Sequence, residues 1–390
     1  MKLTSFFVTT ASLVYFMIGF TAQSINSALP AIAIELEMSH SMTGLVLGLP
    51  SFVYQIAVLL AAASSRKFSP FSTVTFGILC ITLSVLFMAL SKTYHMFLVG
   101  RLLFGFGLGA TEISIAISVS QLAFRRTGGV LNSVYSFFAL GSIVAPIVVS
   151  SILTDTSRWN IPLLAASASF LAISLLSWKV WKKASTEPVS GVEKRKLYLP
   201  RDSVFWLVTI GGLLYIGYEM GLFSWLSSFA YEEKLIPLRI ASLTPSLLAL
   251  GLFIGRIITG VIVDKVGLQR TLVVLGVISL GGFSLAFYTA DTVLLSIGVF
   301  VTGLGFSGIF PTLQAILVSG YRENREVVLA IFAASGSIGV VMTNILVGGV
   351  SDRTSLSDGI LIIGSLIATS TVVFVFIYLL HCRRRRSETL

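Results

Sequence analysis

Two carboxylates lie inside stretches that are otherwise apolar enough to sit in a bilayer. Glu112 lies near the middle of residues 100–119, GRLLFGFGLGATEISIAISV, and Glu219 lies in LYIGYEMGLFSWL. A charge at membrane depth costs about 2.5–3.5 kcal/mol, so such residues usually face a protein interior or water and have a function. Arg101 precedes Glu112 by eleven residues on nearly the same helix face, about 16 Å away along the axis, so the two do not pair. We therefore expect Glu112 to be the centre of the site.

Polar and aromatic residues on otherwise apolar stretches complete the candidate site. Amides donate and accept hydrogen bonds and rings cover apolar faces, which suits a neutral, polyhydroxylated solute. Each amide could equally serve a helix–helix contact, and Glu219 could be a solvated wall residue. The candidate substrate-binding residues are Gln23, Asn26, Tyr54, Gln55, Asn132, Tyr135, Tyr215, Tyr218, Trp225, Gln314 and Asn344.

The composition predicts the elements that position these residues. The chain has 390 residues, 55% of them hydrophobic and 11% charged, whereas soluble proteins are usually about one quarter charged. We predict an all-α membrane protein with twelve transmembrane helices, each long enough to cross about 30 Å of hydrocarbon. The predicted spans are 5–30, 42–63, 71–91, 95–120, 128–153, 160–182, 203–229, 240–263, 269–290, 292–319, 326–350 and 357–380.

Basic residues predict the orientation of these helices in the membrane. Twenty of the 27 Lys and Arg residues fall on one side if both termini are cytoplasmic. The net charge of +10 then reflects topology, and we expect the partner to be the bilayer of a plasma membrane and not nucleic acid. Two cysteines and three histidines without ligand spacing predict no metal and no cofactor. An enzyme or a channel is disfavoured.

The chain divides at a polar, basic stretch. We predict a six-helix half over 1–183, a cytoplasmic linker over 184–202 and a second half with a basic tail over 203–390. GLGAT at Gly107 is matched by GLGFS at Gly303, and ALGSIV at Ala139 by ASGSIG at Ala334, about 195 residues later. Two pseudo-symmetric six-helix halves predict an alternating-access carrier with its site near mid-membrane.

The stretch GVIVDKVGLQR between the eighth and ninth spans is similar to the loop motif of the major facilitator superfamily, as is Arg101 with the glycines that follow it. The resemblance covers essentially the whole chain and implies a role for these residues in conformational change. Gly260 would permit close helix contact, Asp264, followed by the basic Lys265 of the motif, could cap a helix or pair with a cation, and Gly267 would supply the turn before Arg270.

Four stretches together resemble the fucose/proton symporter family within that superfamily. These are GLGATE, VLNSVYSFFALGSIVAP, LYIGYEMGLFSWL and FSGIFPTL. The resemblance implies uptake of a neutral monosaccharide such as fucose, glucose or galactose, with Glu112 as the proton-carrying carboxylate and Glu219 as a second candidate. The family's acidic residue four places before Pro30 is Asn26 here, so Glu219 could replace it, Glu112 could act alone, or transport could be an uncoupled, facilitated process.

A drug/proton exporter of the same superfamily is the alternative. Exporters show G-x-x-x-G-P-x-x-G-G where this chain has GSIVAPIVVS, with Ala145 before Pro146, which weakens that interpretation. The sequence leaves open which solute moves, whether protons or sodium drive it, and in which direction. We expect a monomer.

Overall fold

The computed structural model describes residues 2–64, 68–122, 127–153, 156–181, 202–321 and 325–388. In these residues the regular structure is helical. A helix satisfies all its backbone hydrogen bonds within one segment, which a chain in hydrocarbon requires. Eleven of the described helical segments are long and apolar enough to cross a membrane, and a shorter apolar helix, Asn160–Leu176, supplies the twelfth predicted span.

The chain folds into two compact units. The first comprises Met1–Lys194 with Pro237–Leu243, and the second comprises Arg195–Ile236 with Thr244–Leu390. Most of the predicted linker, 184–202, lies outside the described residues, as do the basic residues of 65–67, 123–126 and 322–324. The orientation in the membrane therefore stays a prediction.

Helices of the first unit begin and end close to the predicted spans. They are α1 (Lys2–Ser27), α2 (Leu29–Glu35), α3 (His40–Ser64), α4 (Pro70–Ala89), α5 (Tyr94–Leu122), α6 (Thr127–Ile152) and α7 (Asn160–Trp181), with a 3₁₀ turn at Thr156–Arg158 and the short α9 (Leu238–Ala241). The first predicted span, 5–30, is divided between α1 and α2. Pro30 lies in the first turn of α2, where its missing N–H costs no hydrogen bond.

The second unit contains the remaining helices. They are α8 (Ser203–Ser228) with a π-helical extension (Phe229–Glu233), α10 (Thr244–Val266), α11 (Leu268–Tyr288), α12 (Thr292–Phe306), α13 (Ile309–Gly320), α14 (Arg325–Ser351) and α15 (Leu356–Glu388). The predicted span 292–319 is confirmed as Thr292–Gly320, and its helix is interrupted at Ser307 and Gly308. Pro311 has no N–H to donate to the carbonyl of Ser307, which favours an interruption at this point.

Both units use the same helix packing. In the first unit α1 packs on α6, α5 packs on α3 and α4, and α4 also packs on α7; in the second, α8 packs on α14, α12 packs on α10 and α11, and α11 also packs on α15. A side chain at Gly105 would collide with the carbonyl of Pro50, and one at Gly303 would collide with that of Leu248. Gly303 lies 198 positions after Gly105, and Leu248 lies 198 positions after Pro50.

The backbone confirms this register. Glu37 and Leu235, also 198 residues apart, have left-handed φ values of 50° and 54°. The register expected from GLGAT and GLGFS was therefore wrong by about two residues. Shifting the alignment of the two units by two residues still pairs glycine with glycine. It pairs glycines that face different neighbouring helices, however, because two residues correspond to about 200° around a helix.

The end of α8 is fastened to its own unit by polar contacts. The Lys234 ammonium donates hydrogen bonds to the carbonyls of Phe287 and Thr289 (2.7 Å to the latter) and lies over the ring of Phe229. Partial burial lowers the pKa of Lys234, and the nearby Glu233 carboxylate opposes that shift. Glu233 in turn accepts a hydrogen bond from Ser357 on α15 at 2.6 Å.

Candidate functional site

Glu112 is surrounded by tyrosines from three other helices of the first unit. The Tyr54 hydroxyl on α3 donates a hydrogen bond to its carboxylate at 3.0 Å. Tyr15 on α1 and Tyr135 on α6 lie close enough for their hydroxyls to interact electrostatically with that carboxylate. The rings of Tyr15 and Tyr135 contact each other, with centroids 4.9 Å apart. Four helices thus bring one carboxylate and three phenols together, and we call Tyr15, Tyr54, Glu112 and Tyr135 the tyrosine–glutamate cluster.

Tyr15 was not among the residues expected from the sequence. Its hydroxyl is buried beside that of Tyr135. A signal was present, because Tyr15 precedes Asn26 by eleven residues and so lies on nearly the same face of α1.

The amides of α1 lie on one side of the same unit. Asn26 donates a hydrogen bond to Gln23 at 3.2 Å, so the residue that replaces the expected carboxylate is engaged with its neighbour. Gln55 is partly buried next to Tyr54 in the chain. The side chain of Asn132 lies outside the described part of the protein.

Arg101 has a packing role in the first unit. Its Nε donates a hydrogen bond to the carbonyl of Val46 on α3 at 3.1 Å, and its guanidinium lies 6.0 Å from the centroid of Phe104. The side chain is buried, so it joins α5 to α3 and does not extend to the solvent. A role in conformational change stays a prediction.

Glu219 lies in a different kind of environment, inside the second unit. Its side chain is buried, and the positive charge of Arg256 on α10 acts on its carboxylate. Tyr215 and Tyr218 are fully buried beside it, and the Tyr215 hydroxyl donates to the carbonyl of Phe306 at 2.9 Å.

Trp225 and Asn344 form a buried pair. The Trp225 indole N–H donates to the Asn344 side-chain oxygen at 3.0 Å, and the Asn344 amide donates to the carbonyl of Val340 at 2.9 Å. These contacts join α8 to α14. Trp225 and Asn344 thus make a helix–helix contact. Gln314 lies on α13 and is partly buried.

Two residues of the loop motif, Gly260 and Asp264, do not make the helix contacts expected of them. A side chain at Gly260 would meet no described atom within 4 Å, so the expected close helix contact there was wrong. Asp264 and Lys265 are exposed in the last turn of α10, and α11 begins after Gly267 without a side-chain cap. Asp264 therefore does not cap α11, and its pairing with a cation stays a prediction. The predicted turn at Gly267 is confirmed, because its φ is 91°.

Arg270 completes the motif by a contact within the second unit. Its Nε donates to the Tyr378 hydroxyl on α15 at 3.2 Å, and the guanidinium lies 5.8 Å from the ring centroid. This contact joins the start of α11 to α15.

Comparison with known proteins identifies the family. The model of the Major Facilitator Superfamily matches residues 11–342 and 241–389. The chain belongs to this superfamily, so it is a multi-pass membrane transporter and not an enzyme.

Individual relatives are distant. The chain is 24% identical over 351 residues to the glucose/mannose transporter GlcP of Bacillus subtilis (strain 168), which covers 85% of this chain and 83% of that protein. It is 22% identical over 322 residues to a probable 4-methylmuconolactone transporter of Cupriavidus pinatubonensis (strain JMP 134 / LMG 1197), covering 78% and 74%.

Solved structures share the fold. The nucleoside transporter NupG superposes with a TM-score of 0.76 at 15% identity, over 97% of this chain and 99% of that one. A bacterial homologue of the lysosomal transporter Spinster gives a TM-score of 0.76 at 12% identity, over 97% of each chain. At such low identity these likenesses concern the twelve-helix fold alone.

Proposed function

We propose that this protein takes up a monosaccharide by alternating access and that protons drive the uptake through Glu112. The observation that carries the proposal is the tyrosine–glutamate cluster. Its four side chains come from α1, α3, α5 and α6, so a change in the charge of one carboxyl group acts on four helices at once. The similarity to a glucose/mannose transporter supports a sugar as the solute.

The chemistry of the cluster fits proton transfer coupled to solute binding. Desolvation favours the uncharged form of a carboxyl group, while a phenol that donates to the carboxylate favours the charged form. A balance between the two allows a proton to be taken up on one side and released on the other. A sugar hydroxyl that competes for Tyr54 or Glu112 would change that balance, which would link the solute to the proton.

We place the protein in the plasma membrane with both termini in the cytoplasm, on the basis of the basic residues. We also propose that Gln23 and Asn26 bind sugar hydroxyls, because two hydrogen-bonded amides on one face of α1 offer both donors and acceptors. Sodium as the coupling ion and export as the direction are tested by the same experiment.

The test is uptake of labelled glucose, mannose, galactose and fucose into proteoliposomes, with and without an inward proton or sodium gradient. We expect one sugar to accumulate only with the proton gradient. Glu112→Gln should still exchange that sugar but not accumulate it, because an amide cannot carry the proton. Glu35→Gln, at an exposed glutamate of the same unit, is the matched control and should behave as wild type.

If a sugar only equilibrates across the membrane and neither gradient changes its uptake, the protein is a facilitator, which would contradict the coupling. If none of these four neutral sugars moves under any gradient, a neutral sugar is not the substrate. Export of lipophilic cations would then test the alternative of a drug exporter.

A further inference from the structure

Arg256 lies at mid-depth in a membrane-spanning helix. It is the thirteenth residue of α10 (Thr244–Val266), about 18 Å from the start of the helix and about 15 Å from its end. The apolar span that contains it is Leu238–Val266. Arg256 was not among the site residues expected from the sequence, although an arginine inside LGLFIGRIITGVIV is itself a signal.

The side chain of Arg256 is exposed on its unit. The exposed apolar residues Leu250, Ile257 and Val261 are rotated from it by about 100–140° around α10, and the exposed Phe253 by about 60°. A guanidinium in lipid at this depth is costly, so an exposed arginine here faces water. In a transporter, water at mid-membrane is where the solute passes.

The guanidinium has unused hydrogen-bonding capacity. Among the described residues, Arg256 has no hydrogen bond and no ion pair within 4 Å. Its charge acts at longer range on two groups of α8, the carboxylate of Glu219 and the hydroxyl of Tyr215. Five N–H donors in a planar arrangement therefore remain available to a ligand.

We propose that Arg256 binds a carboxylate of the substrate, so that the transported solute is a sugar acid such as a hexuronate or an aldonate. This inference rests on the proposed function, because it takes a monosaccharide as the solute. It replaces the expectation of a neutral sugar, which was drawn from amides and aromatic rings alone. A guanidinium binds a carboxylate with two parallel hydrogen bonds, which gives both affinity and orientation.

Charge balance favours a carboxylate over a phosphate. Arg256 supplies one positive charge, and the buried Glu219 carboxylate nearby reduces its effect when ionised. With Glu219 protonated, Arg256 offers one uncompensated positive charge, which a singly charged carboxylate balances and a doubly charged phosphate ester exceeds. When ionised, Glu219 is a counter-charge that competes with the substrate for Arg256, and its removal should strengthen binding of the acid.

The wild-type protein provides the first test. In proteoliposomes, labelled glucuronate should be taken up, and unlabelled glucuronate or gluconate should inhibit at concentrations about tenfold lower than glucose does. Glucose 6-phosphate should inhibit no better than glucose. This arm needs no substitution, so it does not depend on whether a variant folds.

The second test compares variants that should change the half-inhibitory concentration of glucuronate in opposite directions. Arg256→Gln should raise the half-inhibitory concentration of glucuronate about 10- to 100-fold, which is the range for one lost charge-assisted pair of hydrogen bonds. Glu219→Gln should lower it, so the two variants should move the ratio of the glucuronate value to the glucose value in opposite directions. Arg256→Lys keeps the charge but not the planar pair of donors, so it should lie between. Arg353→Gln, at an exposed arginine elsewhere in the same unit, is the control.

The outcomes separate the two proposals. If glucose is transported but glucuronate neither moves nor competes, the inference about Arg256 is wrong and the proposed sugar uptake stands. If Arg256→Gln weakens glucose and glucuronate equally, Arg256 serves the fold and not the selection of acids. If neither neutral sugars nor sugar acids move, the proposed function itself has failed.

Discussion

The two units repeat one helix packing but differ in their ionisable groups. In the first unit the carboxylate is Glu112 on α5, and in the second it is Glu219 on α8. The residue 198 positions after Glu112 is Phe310, and the residue 198 positions before Glu219 is Thr21. The scaffold was therefore kept in both units while each unit has its own polar residues. Helix packing restricts small residues at the contacts, whereas a side chain that faces water or ligand is free to change.

The surroundings of the two carboxylates differ as well. Both carboxylates lie beside phenols, Glu112 beside Tyr54 and Glu219 beside Tyr215, but Glu219 also interacts with the charge of Arg256 on a neighbouring helix. We therefore assign the proton to Glu112 and an electrostatic role to Glu219.

Exchanging each carboxylate for an amide should give the largest contrast. We expect Glu112→Gln to abolish gradient-driven accumulation and Glu219→Gln to retain it, because only the first would remove the proton carrier. Accumulation ratios in proteoliposomes at a fixed proton gradient provide the measurement. Loss of accumulation in Glu219→Gln alone would reverse the assignment.

Removing the phenol that contacts Glu112 should have a smaller effect. Tyr54→Phe deletes the donor of the 3.0 Å hydrogen bond, and a hydrogen bond to a charged group contributes about 1.5–3 kcal/mol. We expect gradient-driven uptake to slow by about tenfold, measured as initial rate. Tyr288→Phe, at an exposed tyrosine of the second unit, should leave the rate unchanged. An equal loss in both variants would show that the effect is not specific to the cluster.

Glycines at equivalent helix contacts should be equally sensitive in the two units. A side chain at Gly141 would collide with the carbonyl of Phe16, and one at Gly339 with that of Leu213. Overpacking of this kind costs about 1–3 kcal/mol, so Gly141→Ala and Gly339→Ala should each lower the Tm in detergent. Gly260→Ala, which meets no described atom within 4 Å, is the control. Sensitivity in one unit only would argue against a shared packing.

Lys234 should give the smallest effect, confined to the second unit. Its counterpart in the first unit, 198 residues earlier, is Leu36. Lys234→Gln loses the hydrogen bonds to the ends of α11, and we expect a destabilisation of about 1 kcal/mol. Protease sensitivity near 229–237 would report it locally, with Lys265→Gln at an exposed lysine as control. Unchanged sensitivity would mean that the contacts to α15 alone hold this segment.

The membrane class and the helices were predictable from the sequence because hydrocarbon imposes a simple rule. A segment must be apolar over about 20 residues and helical throughout, so composition alone located spans such as 71–91 and 203–229 to within a few residues of α4 and α8. The buried carboxylates were equally visible, because a Glu in such a segment stands out against its neighbours.

The tertiary structure alone decided which residues meet. Tyr15, Tyr54 and Tyr135 come from three helices far apart in the chain, and only the packing of α1, α3 and α6 around α5 brings them to Glu112. The offset of 198 residues between equivalent positions of the two units also came from the structure. Alternate glycines face different helices, so the sequence alone permits alignments that differ by two residues. Arg256 shows the same limit: the sequence places it in a span, but its side of α10 depends on what packs against that helix.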